Sequence, residues 1–155
     1  MPDRSCNDEG TYQHRELTDA IICCFYTVYN TLGFGFLEKV YENALLAEFK
    51  KRNIAAAAQT PISVYYGEIL IGEFFADILV ENKVIVEIKA VRNLVPEHDA
   101  QLLNYLKATD VEVGLLLNFG IQPQVKRRYF DNERKGRNRV TADNNLPQIK
   151  AEEAD

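Results

Sequence analysis

Two carboxylates and one ammonium stand out because of the residues around them. Asp77, Glu87 and Lys89 interrupt two runs of Ala, Ile, Leu, Val and Phe on either side of Glu81-Asn82. The runs from Gly72 to Val80 and from Lys83 to Val91 have the β-branched and aromatic content of strands, and Glu81-Asn82 suits a hairpin tip. A tip there sets Val80 opposite Val84 and Asp77 opposite Glu87. Side chains alternate along a strand, so Glu87, Lys89 and Asp77 are expected on one face, with Phe75, Leu79 and Ile85. Ala76, Ile78, Val80, Val84, Val86 and Ile88 are expected on the other. Both faces are apolar enough to be covered by helices.

Charge in such a place is costly. An unpaired buried charge costs about several kcal/mol, and two opposed carboxylates also repel. Lys89 offsets one of them, and a divalent cation offsets both. Oxygen ligands with no accompanying histidine or cysteine suit Mg²⁺ or Mn²⁺ rather than zinc. The competing reading is a structural Asp–Lys or Glu–Lys pair at a sheet edge, and spacing alone leaves both open. The chain has no Gly-x-Ser-x-Gly elbow and no Gly-x-x-x-x-Gly-Lys loop, so serine-hydrolase and nucleotide-kinase chemistry have no support.

The elements that must position these groups are legible in the periodicity. Leu17, Ala20, Ile21, Cys24, Phe25, Val28 and Leu32 recur at helical steps and stop at Gly33. A second helix is expected from about Phe36 to Arg52. Glu38 lies on its inward line with Leu45 and Phe49; the alternative is an exposed acid in the first turn, favoured by the helix dipole. Ile62, Val64 and Tyr66 read as a strand, turning at Gly67-Glu68. Pro96-Glu97 opens a helix to about Ala108, and Val111 to Phe119 reads as a buried strand. The order is helix, helix, three antiparallel strands, helix, strand, basic segment: an α/β sandwich with a mixed central sheet.

The chain has 155 residues, 46% apolar and 26% charged, which is ordinary for one soluble domain. Three cysteines without metal spacing fit a reducing, cytoplasmic compartment. No apolar stretch is long enough for a bilayer. Lys126 to Arg139 holds seven basic and two acidic side chains, a net of +5, which leaves the rest at −10 against a formal total of −5. Lys126, Arg127 and Arg128 are therefore the candidates for nucleic-acid contacts, and a solvated tail is the competing reading. Tyr129 and Phe130 suit either base stacking or a last strand.

Asp77 with Glu87-Ile88-Lys89 resembles the Asp…Glu-x-Lys signature of the PD-(D/E)xK nuclease superfamily. Gly35-Phe-Leu-Glu38-Lys-Val-Tyr41 resembles the Gly-x-x-Glu-x-x-Tyr string of its GxxExxY family. Gln101-Leu-Leu-Asn-Tyr105 is similar to the Gln-x-x-x-Tyr element of its RecB-like exonucleases. The resemblance covers residues 15 to about 130, and Ala76 replaces the proline of the superfamily's name.

The resemblance implies a restriction-endonuclease-like fold and Mg²⁺- or Mn²⁺-dependent hydrolysis of DNA, in repair, recombination or defence. It implies that Asp77, Glu87 and the Ile88 carbonyl ligate the metal and that Lys89 orients or deprotonates water. It implies that Glu38 reaches the site as a further ligand or an orienting group. Gln101 and Tyr105 would support Lys89 or hold a phosphate; helix surface is the plainer reading of both. It also allows a homodimer. Two rivals share the fold: a non-catalytic nucleic-acid or protein binding module, and a hydrolase of small phosphate esters. Residues 1–14 are expected to be a flexible lead, 15–130 the domain, and 131–155 a charged, disordered tail. His98 suits an exposed polar role and Tyr41 core packing.

Overall fold

The computed structural model describes residues 13–135. The leading segment expected over 1–14 and the tail expected from 131 fall mostly outside the described residues.

Helix α1 spans Arg15–Leu32 and buries Ile21, Cys24, Phe25 and Val28, the stripe the periodicity predicts. It ends at Gly33, whose φ of 68° lets its N–H return to the Tyr29 carbonyl at 2.7 Å. Helix α2, Glu38–Lys51, buries Tyr41, Leu45 and Phe49. Strands β1 (Ala56–Tyr66), β2 (Ile69–Val80) and β3 (Val84–Lys89) form an antiparallel meander. Helix α3 runs Pro96–Ala108, as expected. It returns the chain so that β4 (Val113–Phe119) lies parallel to β3.

The sequence leaves one element open between two readings, a last strand and a solvated basic run. Strand β5, Pro123–Tyr129, pairs antiparallel with β4 and takes in the start of the basic segment. A single turn, α4 (Asn132–Lys135), follows it. Lys135 is buried there, and its Nζ donates to the carbonyls of Thr109 at 3.0 Å and Val111 at 2.7 Å. The basic segment is thus folded into the domain at least to that point.

The sheet order is β1-β2-β3-β4-β5, with helices on both faces. On one face α1 and α2 pack on Ile78, Val80, Val84, Val86, Ile88, Val113, Leu115, Leu117 and Phe119. On the other, Leu102, Tyr105 and Leu106 of α3 pack on Leu79, Ile85 and Leu116. Each such side chain contributes about 1.5–3 kcal/mol, so the strands can carry a few buried charges.

The face assignment needs one correction. Ala76 packs with the α3 core, whereas Ile78 belongs to the α1/α2 core. Two residues of even spacing cannot share a flat strand and face opposite ways, so β2 turns over at Asp77. Its neighbour is irregular at the same level: Gln59 of β1 adopts φ 51°, and the ladder omits the Gln59/Asp77 pair between Ala58↔Ile78 and Thr60↔Ala76. Phe75, expected inside, is 51% exposed.

Two glycines of β4 and its exit seat the neighbouring elements. A Cβ on Gly114 would lie 2.7 Å from Leu102 Cδ1 of α3. One on Gly120 would collide with the Val91 carbonyl in the loop that follows Lys89. Gly120→Ala is expected to destabilise the protein by about 1–3 kcal/mol. Urea denaturation would show it as a lower midpoint with an unchanged slope.

Candidate active site

The β2–β3 ladder follows the expected register, Val80↔Val84, Leu79↔Ile85, Ile78↔Val86, and then stops. The carboxylates take over where it ends. Asp77 Oδ2 accepts the Ile88 N–H at 2.8 Å, and Glu87 Oε1 accepts the Asp77 N–H at 3.1 Å. Two acids are thereby fixed at one point by each other's strands. Glu87 is 2% exposed. Burial, and then the charge of Asp77, push its carboxyl up from 4.5 to about 8. Burial also raises Asp77, helped by Glu42 and Glu38 and opposed by the Ile88 N–H.

The groups expected on one face are divided between two. Asp77 and Ile88 line a cleft of about 260 Å³ with Glu38, Lys39 and Glu42 of α2 and Gln59 of β1. Lys89 reaches the other way, to α3. The turnover of β2 at Asp77 accounts for the split.

Glu38 stands at the first position of α2, exposed at the mouth of this cleft. The exposed first-turn reading holds rather than the inward one, and from that position Glu38 lines the cleft with Asp77. The buried acid one turn on, Glu42, escaped the sequence reading. It is 3% exposed, accepts from Lys39 Nζ at 2.5 Å and accepts from Gln59 Nε2 at 2.6 Å. The four-residue step from Glu38 was the available signal.

The Gly-x-x-Glu-x-x-Tyr string has a mechanical explanation. Gly35 takes φ 111° in the link between α1 and α2. Tyr41 is fully buried, stacked on Phe119 with centroids 4.1 Å apart. Its OH donates to the Gly33 carbonyl at 2.6 Å and accepts the Phe36 N–H at 3.2 Å. The tyrosine therefore pins the link that delivers Glu38. Tyr41→Phe is expected to cost about 1–2 kcal/mol in thermal unfolding, while retaining the ring stacking.

Lys89 makes no ion pair with either acid; the ion pairs among the described residues lie elsewhere. Its Nζ donates to Gln101 Oε1 at 2.9 Å, and Gln101 Nε2 donates to Tyr105 OH at 2.9 Å. The structural Asp–Lys or Glu–Lys pair, left open above, is thus not formed. The Gln-x-x-x-Tyr step instead holds the ammonium by a relay along α3. Burial and the nearby Glu87 charge raise the Tyr105 phenol above its ordinary range. His98 caps α3, its Nδ1 accepting the Val95 N–H at 3.1 Å.

The three basic candidates lie on β5. Lys126 and Arg128 share Asp99 of α3, at 3.5 and 3.0 Å. Desolvation opposes the ionisation of Asp99, but its two cationic partners prevail and hold its carboxyl below the usual range. Arg127 pairs with Leu115 on the opposite face and donates to the Gln13 carbonyl.

Among the described residues, no three His, Cys, Asp or Glu side chains converge to hold a metal ion. The donor set nevertheless fits magnesium. Mg²⁺ typically takes one or two carboxylates and completes its shell with water and substrate phosphate. Asp77 and Glu87 would supply the carboxylates; Asp77 and Ile88 line the cleft, and Glu87 is joined to it through the Asp77 N–H. Burial first, and then neighbouring acids, raise both carboxyls above their ordinary range, with Lys89 opposing only in part.

A mixed five-stranded sheet between helices, with an acid–acid–lysine set where β2 and β3 part, is a restriction-endonuclease-like fold. The family model described as PD-(D/E)XK nuclease superfamily matches residues 15–129, and the chain belongs to that superfamily. Among solved structures, the crystal structure of SSO0001 is similar at 18% identity and a TM-score of 0.49. The match covers 70% of this chain and 59% of that one. A search of curated proteins returns no match. No helix among the described residues is long and apolar enough to cross a membrane.

Proposed function

We propose that this protein is a Mg²⁺- or Mn²⁺-dependent nuclease that hydrolyses phosphodiester bonds in DNA, within the GxxExxY branch of the superfamily. The observation that carries the proposal is the pair of carboxylates locked onto each other's backbone, near a lysine whose ammonium is hydrogen-bonded to Gln101 and ion-paired to neither. A structural pair would have closed on itself. This one leaves two acids for a cation and an ammonium for a phosphate.

In this reading Asp77, Glu87 and the Ile88 carbonyl hold the metal. When bound, it polarises the phosphoryl oxygen and makes water more acidic. Lys89 supplies positive charge to the scissile phosphate and orients the attacking water. Gln101, backed by Tyr105, fixes the Lys89 ammonium, since its carbonyl oxygen is the one hydrogen-bond acceptor that Nζ uses. Glu38 and Glu42 sit across the cleft from Asp77 and order water there. Lys126 and Arg128, two cations against the single Asp99, offer a net positive charge to the DNA backbone. Arg127 is the weaker contact of the three, being turned to the other face. A homodimer is supported by the β1–β2 tip, where Tyr66, Ile69 and Ile71 are each at least 60% exposed.

The test is incubation of labelled single-stranded, duplex and branched DNA with Mn²⁺ and with chelator. Metal-dependent cleavage by wild type, lost in Lys89→Ala, is expected. Binding without cleavage in every case would establish the binding module instead. Cleavage of small phosphate esters alone would establish the second rival.

A further inference from the structure

The relay that holds Lys89 has a second side. Tyr105 and Gln101 also form the floor of a groove of about 360 Å³ between α3 and the β1–β2 hairpin. Phe74 and Val64 come from the hairpin, and Glu97 and Asn104 from α3. The volume lies in the range of small-molecule sites, and it adjoins the proposed active site through one hydrogen bond.

Its walls are of two kinds. Phe74 is aromatic and 47% exposed. Its ring leans on Tyr105 with centroids 6.0 Å apart and an interplanar angle of 47°, and it lines the groove. Gly72 makes this possible: a Cβ there would stand 3.2 Å from Phe74 Cε2. The opposite wall is polar. Asn104 is exposed and makes no hydrogen bond among the described residues. Its amide can both donate and accept, and Glu97 can accept.

An exposed aromatic ring lining a groove with an unused amide and a carboxylate matches one kind of ligand. A nucleobase is flat, apolar on its faces, and lined at its edge with donors and acceptors. A free phosphate would be repelled by Glu97, whereas the ring, amide and carboxylate that line the groove together complement a base. We propose that this groove takes an unpaired nucleobase of the strand being cut, next to the phosphate held by Lys89. This rests on the nuclease reading and goes beyond it. Bases in a duplex are stacked and paired, so a side pocket selects single-stranded, flap or otherwise unpaired nucleic acid. Phe74 provides the stacking platform, Asn104 and Glu97 read the edge, and the Gln101–Tyr105 pair couples an occupied pocket to the lysine.

The test uses a short single-stranded oligodeoxynucleotide carrying 2-aminopurine, its duplex, and the same strand with an abasic site, with Ca²⁺ as the cation in the binding assays. Wild type is expected to quench 2-aminopurine in the single strand and to bind it more tightly than duplex. Phe74→Ala should weaken single-strand binding about tenfold or more, leave duplex binding within twofold, and lose the quenching; Phe74→Trp should restore both. Asn104→Ala should change the preference among bases at the same position. Equal losses for single strand and duplex in Phe74→Ala, or no effect of the abasic site, would overturn the pocket. The two readings fail separately. Mn²⁺-dependent cleavage indifferent to Phe74 removes the pocket and keeps the nuclease, whereas quenching without cleavage removes the nuclease and keeps a base-binding site.

Discussion

Asp77→Asn is expected to abolish cleavage while leaving the metal-free protein as stable as wild type or more so. The amide oxygen can still accept the Ile88 N–H that Asp77 Oδ2 accepts at 2.8 Å, so the strand exit is preserved. What disappears is a charge that burial disfavours and that Glu42 and Glu38 repel. Removing a buried repulsion costs nothing in folding and relieves Glu87 as well. The same change deletes one of the two carboxylates available to a cation, and cleavage should fall on the order of 10³-fold or more. Thermal melts with and without Mn²⁺ separate the effects. Wild type should gain stability from the metal, and the variant should not. If Asp77→Asn melts far below wild type and Mn²⁺ shifts neither, the acid is structural.

The second large effect is in the pH dependence of stability. The folded protein keeps the Glu87 proton up to about pH 8, whereas the unfolded chain releases it near 4.5. Between those values the folded state binds more protons, so stability falls as pH rises. The contribution is fully present below 4.5 and is lost as pH passes 8. Asp77, also raised, acts in the same direction at the lower end of the window. A unit shift corresponds to about 1.4 kcal/mol, so the loss across the window is several kcal/mol. Urea titrations from pH 5 to 9 in chelator should show it, and Glu87→Gln should flatten the curve. A wild-type curve already flat there would mean that Glu87 is ionised and compensated in the folded state.

Much of this arrangement was legible in advance because it follows from strong local patterns. The stripe of Ile21, Cys24, Phe25 and Val28, the proline that opens α3, and the Glu81-Asn82 tip each leave a short-range signature. The tip alone sets the register that brings Asp77 to Glu87. What was hidden depends on partners distant in the chain. Strand β5 reads as a basic run because Asp99, which neutralises Lys126 and Arg128, lies 27 positions before the first of them. Long cationic side chains cover a sheet edge with their methylenes as readily as they line a tail. The turnover of β2 coincides with the left-handed backbone of Gln59 on its neighbour, which no alternation rule anticipates. Glu42 looks like a surface acid until Gln59 and Lys39 close over it.

The central claim is that Asp77 and Glu87 disfavour each other's charge without a metal and are joint ligands with one. Isothermal titration of Mn²⁺ into wild type at pH 7, in two buffers of different ionisation enthalpy, tests it directly. With Glu87 near 8, binding should release close to one proton per metal ion, and the Glu87→Ala/Lys89→Ala double variant should bind none. The titration is repeated with single-stranded DNA present, since a phosphate can complete the shell. Binding with proton release in wild type alone is the result this account predicts. No Mn²⁺ binding by wild type, with DNA or without it, would contradict it.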